Sequence, residues 1–176
     1  MKALTDPGPW KFPLLTLIAA LILLRGRRGA IALVALVLTI AMSDQLSSRV
    51  LKPIVRRPRP SVELSDTRPL FGVRGTYSLP SVHATNFFAA APLLGTVFPQ
   101  GAAAFYGLAG LVSLSRVYVG DHYPSDVVAG GILGLLIGFL GRKAYFRAER
   151  TILRRPRGAH PEPRSVPGEA APSGGP

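Results

Sequence analysis

Ser115-Arg116-Val117-Tyr118-Val119-Gly120-Asp121-His122-Tyr123-Pro124-Ser125-Asp126 is a polar block set between two apolar runs. Residues 102–118 lead into it and residues 125–146 lead away. The second run carries Gly130, Gly131, Gly134, Gly138 and Gly141. Small residues three and four apart let helix backbones approach closely in a bilayer, so this run reads as a tightly packed helix. Two further blocks sit at the edges of apolar runs: Lys52 followed by Arg59-Pro60, and Pro80-Ser81-Val82-His83. Together the blocks hold three cations (Lys52, Arg59, Arg116), two imidazoles (His83, His122) and the carboxylate of Asp126. Such a set suits the binding of a phosphate and the cutting of its ester or anhydride bond.

Composition narrows the solvent. The chain of 176 residues is 48% hydrophobic yet carries a net charge of +12. The cations lie between apolar runs and not along one soluble face, which argues against a nucleic-acid partner. There is no cysteine, so neither a disulfide framework nor a thiolate metal site is available. From Pro156 onward six prolines and almost no apolar residues remain, too little apolar surface to offset ordering entropy. One transmembrane domain is expected over residues 10–153, followed by a disordered, basic, Pro/Gly-rich tail over 154–176.

The apolar runs are too long and uniform for a soluble domain of this size. Residues 12–24 form a short first helix with Trp10 at its interfacial end. A cleaved leader is disfavoured, because Arg25, Arg27 and Arg28 follow the apolar stretch and no small-residue cleavage site does. Residues 29–50 form a second helix whose end turns polar through Ser43, Asp44, Gln45, Ser47, Ser48 and Arg49. Groups like these must face protein, water or headgroups. Lys52 then opens a loop of about thirty residues bearing Arg56, Arg57, Arg59, Arg68 and Arg74, long enough to be functional. Residues 83–98 and 102–118 supply a third and fourth helix around Pro99-Gln100-Gly101, and 125–146 a fifth. The expectation is an all-α, polytopic transmembrane helical bundle of about five spans. Counting up and down, the three blocks fall on one membrane face. The other face holds Arg25, Arg27, Arg28, Arg142, Lys143, Arg147, Arg150, Arg154, Arg155 and Arg157, which the positive-inside rule makes cytoplasmic. A bacterial inner (cytoplasmic) membrane protein with its site facing the periplasm is expected.

The three blocks resemble those of the type 2 phosphatidic acid phosphatase superfamily, which includes bacterial membrane lipid phosphatases and vanadium haloperoxidases. Its pattern is Lys-x6-Arg-Pro, Pro-Ser-Gly-His and Ser-Arg-x5-His-x3-Asp. Here these fall at Lys52 to Pro60, Pro80 to His83 and Ser115 to Asp126, within roughly residues 40–140. Val82 departs from the usual glycine but keeps the backbone N–H. The resemblance implies a metal-independent lipid phosphatase without cofactor, acting on undecaprenyl diphosphate, phosphatidylglycerophosphate, phosphatidic acid or lipid A 1-phosphate. Undecaprenyl diphosphate is favoured as the commonest duty of compact bacterial members.

Physical chemistry gives each residue a part. Phosphoryl transfer spreads negative charge over the nonbridging oxygens, so catalysis is mostly positioning and electrostatic stabilisation. Arg59 and Arg116 offer paired N–H donors and Lys52 a compact charge. Ser81 and Val82 offer a hydroxyl and free N–H groups at a helix start. His122 is the candidate nucleophile, with Asp126 fixing its tautomer so that the other ring nitrogen attacks phosphorus. His83 is the general acid, and then the base for the water that hydrolyses the phosphohistidine. Pro124 bends the chain and Ser125 is expected to cap the next helix. Asp121 is placed behind the catalytic groups, and Asp44 is expected to pair with a cation or a polar loop group. Arg56 and Arg57 are read as interfacial snorkelling cations. His160 receives no role. The segment Leu70-Phe71-Gly72-Val73-Arg74 is expected to hold contacts that discriminate substrates.

A metal held by His83, His122 and Asp126 is disfavoured, since three nearby cations repel a dication. Two other readings compete. One is a catalytically weak lipid-phosphate-binding or transport protein that retains the pocket, with Val82 in its favour. The other is a haloperoxidase-like oxidase, disfavoured because this chain is small and membrane-bound.

Overall fold

The computed structural model describes residues 7–63 and 77–153, with side chains from residue 15. Trp10 as an interfacial anchor, Arg68, Arg74, the segment 70–74 and the tail with His160 therefore lie outside the described side chains. Among the described residues all regular structure is helical. Helix α1 (Pro7–Gln45) has two legs that meet at Gly26, whose φ of 52° and ψ of −129° are not helical. The turn is sharp enough to bring the Leu21 carbonyl against Gly29, where a Cβ would sit 1.6 Å from its oxygen. Glycine at 29 is thus a requirement of the corner, which separates the two helices expected from the sequence.

The second leg runs into a wide turn, Leu46–Leu51, in which the Lys52 N–H reaches the Ser47 carbonyl. Pro53 has no N–H to extend that ladder. Only the single turn α2 (Lys52–Val55) follows, closed by Arg56 in the left-handed region at φ 52°. A further turn, α3 (Pro60–Glu63), precedes the long helices α4 (Val82–Val97), α5 (Ala102–Tyr118) and α6 (Pro124–Leu153). The end of α6 lies beyond the expected residue 146. The stretch after Phe146 mixes polar residues with Ala148, Ile152 and Leu153, and the Arg28–Glu149 ion pair at 3.0 Å links it to the second leg of α1.

Helix α4 is central, packing against α6, α5 and α1. The α4–α6 seam is made by glycine. A Cβ at Gly134 would lie 2.3 Å from the Thr85 carbonyl oxygen, and one at Gly138 2.5 Å from that of Ala89. Further along, Gly141 meets Thr39 of α1. One end of the bundle closes over Leu21, Ala32, Leu36, Leu93, Leu94, Val97 and Tyr145. Toward the other end the buried residues become Ser81, Ser115, Arg116 and Asp126. Meanwhile Leu23, Leu38, Leu114, Ile132 and Leu136 stand exposed. Polar groups inside and leucines outside are what a lipid solvent selects. By length and composition the chain from Leu15 to Glu63 and helix α6 each pass as membrane-crossing.

Candidate active site

The three blocks converge at the polar end. The third is placed by the way α5 stops. Gly120, at φ 73°, lets the N–H of Asp121 bond to the Arg116 carbonyl at 3.1 Å and its own N–H to that of Val117 at 3.0 Å. This Schellman closure folds the chain back on the helix end. As a result the His122 N–H also reaches the Arg116 carbonyl, at 3.3 Å. Helix α6 then begins at Pro124, so Asp126 is its third residue, and Oδ2 of Asp126 accepts the N–H of Tyr123 at 2.9 Å. That is half of a capping box. Ser125, expected as the cap, is inside the first turn instead, because Pro124 takes the first helical position.

Each cation is held by a named partner, and Arg59 by one from another block. Arg59, buried, donates through Nη1 to the Asp121 carbonyl at 3.0 Å and pairs with its carboxylate at 3.3 Å. Asp121 thereby orients Arg59. Lys52 donates to the Tyr77 carbonyl at 2.6 Å. Arg116 has no exposed surface and donates from Nε and Nη2 to Ser115 Oγ at 3.2 and 3.1 Å. The second block enters through Ser81, which precedes α4 and donates its N–H to the Asp126 carbonyl at 3.0 Å. Its hydroxyl is buried without a hydrogen-bond partner. Val82 and His83, both half-buried, form the first turn of α4. The Ser78 hydroxyl ties the strand of chain before it to the Pro58 carbonyl at 3.0 Å.

His122 is buried at 4% exposure, its Nδ1 3.6 Å from Asp126 Oδ2. That is too long for a hydrogen bond, and Nδ1 has no other partner. Burial, then the charges of Arg59 and Lys52, push its pKa from 6.5 down to about 3. The imidazole is therefore neutral, with a lone pair available, throughout the physiological range. The side chains meeting here include four cations (Lys52, Arg57, Arg59, Arg116) and two carboxylates (Asp121, Asp126). The excess of positive charge matches a phosphate monoester, which carries close to two negative charges at neutral pH.

Arg57 corrects the sequence reading. It is not a snorkelling cation: Nη1 donates to Ser125 Oγ at 2.7 Å and to Asp126 Oδ1 at 2.8 Å, and the guanidinium lies 4.0 Å over the Tyr123 ring. Tyr123 in turn donates its hydroxyl to Glu63 at 2.6 Å. Arg56 does point outward, bonding only to the Pro53 carbonyl among the contacts resolved. Asp44 meets helix α4 and not a loop, accepting from Asn86 at 3.4 Å, while Ser43 donates to the same amide's oxygen.

A profile of the PAP2 superfamily matches residues 30–150, which include all three blocks. The chain belongs to the PAP2 superfamily. Lipid A 4'-phosphatases of Porphyromonas gingivalis and Bacteroides thetaiotaomicron are 32% and 36% identical to it, over 72% and 76% of this chain. The chain spans only 56% and 62% of the length of those curated relatives. A transmembrane PAP2-type phosphatidylglycerolphosphate phosphatase of Bacillus subtilis, solved as a crystal structure, superposes with a TM-score of 0.57. It is 29% identical, and the match covers 81% of this chain and 72% of that one. The all-helical fold is that of a membrane PAP2 phosphatase.

Proposed function

We propose that this PAP2 protein is a lipid phosphatase of a bacterial inner membrane, hydrolysing a lipid phosphomonoester or diphosphate through a phosphohistidine. The observation that carries the reading is the buried imidazole of His122, set among an excess of cations with a carboxylate on its Nδ1 side. Lys52, Arg59, Arg116 and the start of α4 at Ser81 and Val82 would hold the nonbridging oxygens. Nε2 of His122 attacks phosphorus and the bond to the lipid oxygen breaks, while His83 protonates that oxygen. His83 then takes a proton from water, whose oxygen displaces the imidazole and releases phosphate. The relatives' names support lipid phosphomonoesters as substrates, and undecaprenyl diphosphate is kept among the candidates to be tested.

The catalytic unit is residues 10–153, crossing the bilayer five times through the two legs of α1, α4, α5 and α6. With the Arg25 corner and the end of α6 in the cytoplasm, the pocket opens to the periplasm. A cysteine placed at Glu63 should react with a membrane-impermeant thiol reagent on intact cells, while one at Ser165 should not. The reverse pattern would move the pocket to the cytoplasm. The activity test is phosphate release from undecaprenyl diphosphate, phosphatidylglycerophosphate, phosphatidic acid and lipid A by the purified protein in detergent, with and without chelator. Hydrolysis of none of them would overturn the reading in favour of a lipid-phosphate-binding protein.

A further inference from the structure

The carboxylate of Asp126 is fully buried. An ionised carboxylate removed from water needs a compensating charge and filled hydrogen-bonding positions, or it becomes protonated or moves. His122 does not supply that charge, since it is neutral and makes no hydrogen bond through Nδ1. Lys52 is committed to the Tyr77 carbonyl and Arg59 to Asp121. A cation in direct contact with Asp126 is Arg57, 2.8 Å from Oδ1.

The details go beyond charge. Tyr123 N–H takes one position on Oδ2, and Arg57 takes Oδ1. A carboxylate oxygen has two lone-pair positions, so Oδ2 keeps one for the Nδ1–H of His122. The present 3.6 Å separation closes to a hydrogen bond with a shift of less than 1 Å, as catalytic hydrogen bonds do when the reacting complex forms. Arg57 is itself fixed on two sides. Its Nη1 is shared with Ser125, next to Asp126 in the chain, and its flat face lies on Tyr123, next to His122. Tyr123 is anchored by Glu63, and that hydrogen bond raises the phenol's pKa above its ordinary value, so it remains a donor.

We propose that Arg57 is a positioning residue of the phosphatase site, holding the Asp126 carboxylate aimed at Nδ1 of His122, with Tyr123 and Glu63 as its platform. This rests on His122 as nucleophile and Asp126 as its orienter. It assigns Arg57 no contact with substrate.

The test compares wild type with Arg57→Gln, Arg57→Lys and Tyr123→Leu as full-length protein in detergent. The first readout needs no substrate. The chain has three histidines, so the ring ¹⁵N signals of His122 can be assigned by difference against His122→Gln. Wild type should show His122 protonated at Nδ1. Arg57→Gln should move most of the population to the Nε2–H tautomer, and Arg57→Lys should restore much of it. The second readout is hydrolysis of phosphatidic acid in mixed micelles. Arg57→Gln should lower kcat by about 100-fold with KM changed less than about 2-fold, the signature of lost alignment and not of lost substrate binding. Arg57→Lys, which keeps the charge but not the planar fork, should lose about 10-fold, and Tyr123→Leu about 5-fold. A raised KM with kcat preserved would make Arg57 a substrate ligand and overturn the proposal, as would an unchanged tautomer in Arg57→Gln. If that variant does not fold, wild-type kcat in Arg57→Lys together with wild-type kcat and tautomer in Tyr123→Leu would overturn it equally. Should wild type hydrolyse nothing, the function proposed above fails, while the tautomer still decides the role of Arg57.

Discussion

The two ends of this bundle are built from the same helices by different physics. At one end Leu21, Leu36, Leu93, Val97 and Tyr145 fill space around α4. That contact is non-directional, and one apolar side chain of similar volume substitutes for another at modest cost. At the other end Arg116, Asp126, Ser81 and His122 are equally buried, and their contacts are directional: Arg116 to Ser115 Oγ, Tyr123 N–H to Asp126 Oδ2, Ser81 N–H to the Asp126 carbonyl. An apolar core can be approximately right. A buried charge cannot be, because a removed partner leaves an uncompensated ion. The glycine seam of α6 joins the two regimes. By letting α6 approach α4 within backbone contact, it brings the Asp126 carbonyl to the Ser81 N–H and so fixes one block against another.

The largest expected effect separates chemistry from packing at the site end. His122→Ala should lower phosphate release by about 10⁴-fold or more, since the nucleophile itself is gone. The variant should still elute from detergent size exclusion as a folded species, so that the loss reads as chemistry and not as unfolding. Labelled phosphate should be trapped on wild type and not on the variant. Activity within ten-fold of wild type would remove His122 from the reaction.

The seam comes next. Gly134→Ala places a methyl 2.3 Å from the Thr85 carbonyl and 3.1 Å from the Ala89 nitrogen, which are backbone atoms that move only with the whole helix. A loss of about 2–3 kcal/mol is expected from overpacking. Activity should fall with it, because displacing α6 carries Asp126 away from Ser81. If Gly134→Ala melts like wild type, the seam is looser than its backbone contacts imply.

How far could this contrast be read from the sequence alone? The apolar end was legible because long hydrophobic runs announce helices, and residues 102–118 were bounded as the structure has them. The chemical groups were legible because spacing within each block is local. Arg57 was not. It sits among near-identical neighbours in Arg56-Arg57-Pro58-Arg59, and what distinguishes it is a contact with a carboxylate 69 residues away. Nothing in local pattern encodes such a pair. The cap of α6 was misplaced by two residues for a local reason: a serine beside an aspartate looks like a cap, but proline claims the first helical position. The end of α6 was missed because Arg147, Glu149, Arg150 and Thr151 interrupt the apolar run, while the partners of Ala148, Ile152 and Glu149 lie far away in the chain on α1.

A smaller effect tests the electrostatics of the site through stability. His122 has a folded pKa of about 3 against an ordinary 6.5. Between those values the unfolded chain binds a proton at this position that the folded chain refuses. Stability therefore falls as pH drops from about 6.5 towards 3, at no more than about 1.4 kcal/mol per pH unit from this group. His122→Gln removes the term. Its midpoint should gain on that of wild type as the buffer is taken from pH 7 to pH 4.5. Parallel curves would mean that the imidazole is not held neutral.

The smallest effect belongs to the other kind of glycine. Gly120 has no heavy atom within 4 Å of a built Cβ, so alanine meets no clash there. Its cost is only that of φ 73°, about 1–2 kcal/mol for a residue with a Cβ. Asparagine tolerates that region better, so Gly120→Asn should lie between glycine and alanine. The two glycines are thus distinguishable by substitution pattern. At Gly134 size decides, and serine should be as poor as alanine or worse. At Gly120 backbone preference decides, and the larger asparagine should outperform the smaller alanine. Because the Schellman closure sets the path from Arg116 to His122, Gly120→Ala should also lower kcat a few-fold without abolishing it. A Gly120→Asn variant less stable than Gly120→Ala would show that space, and not φ, governs this turn.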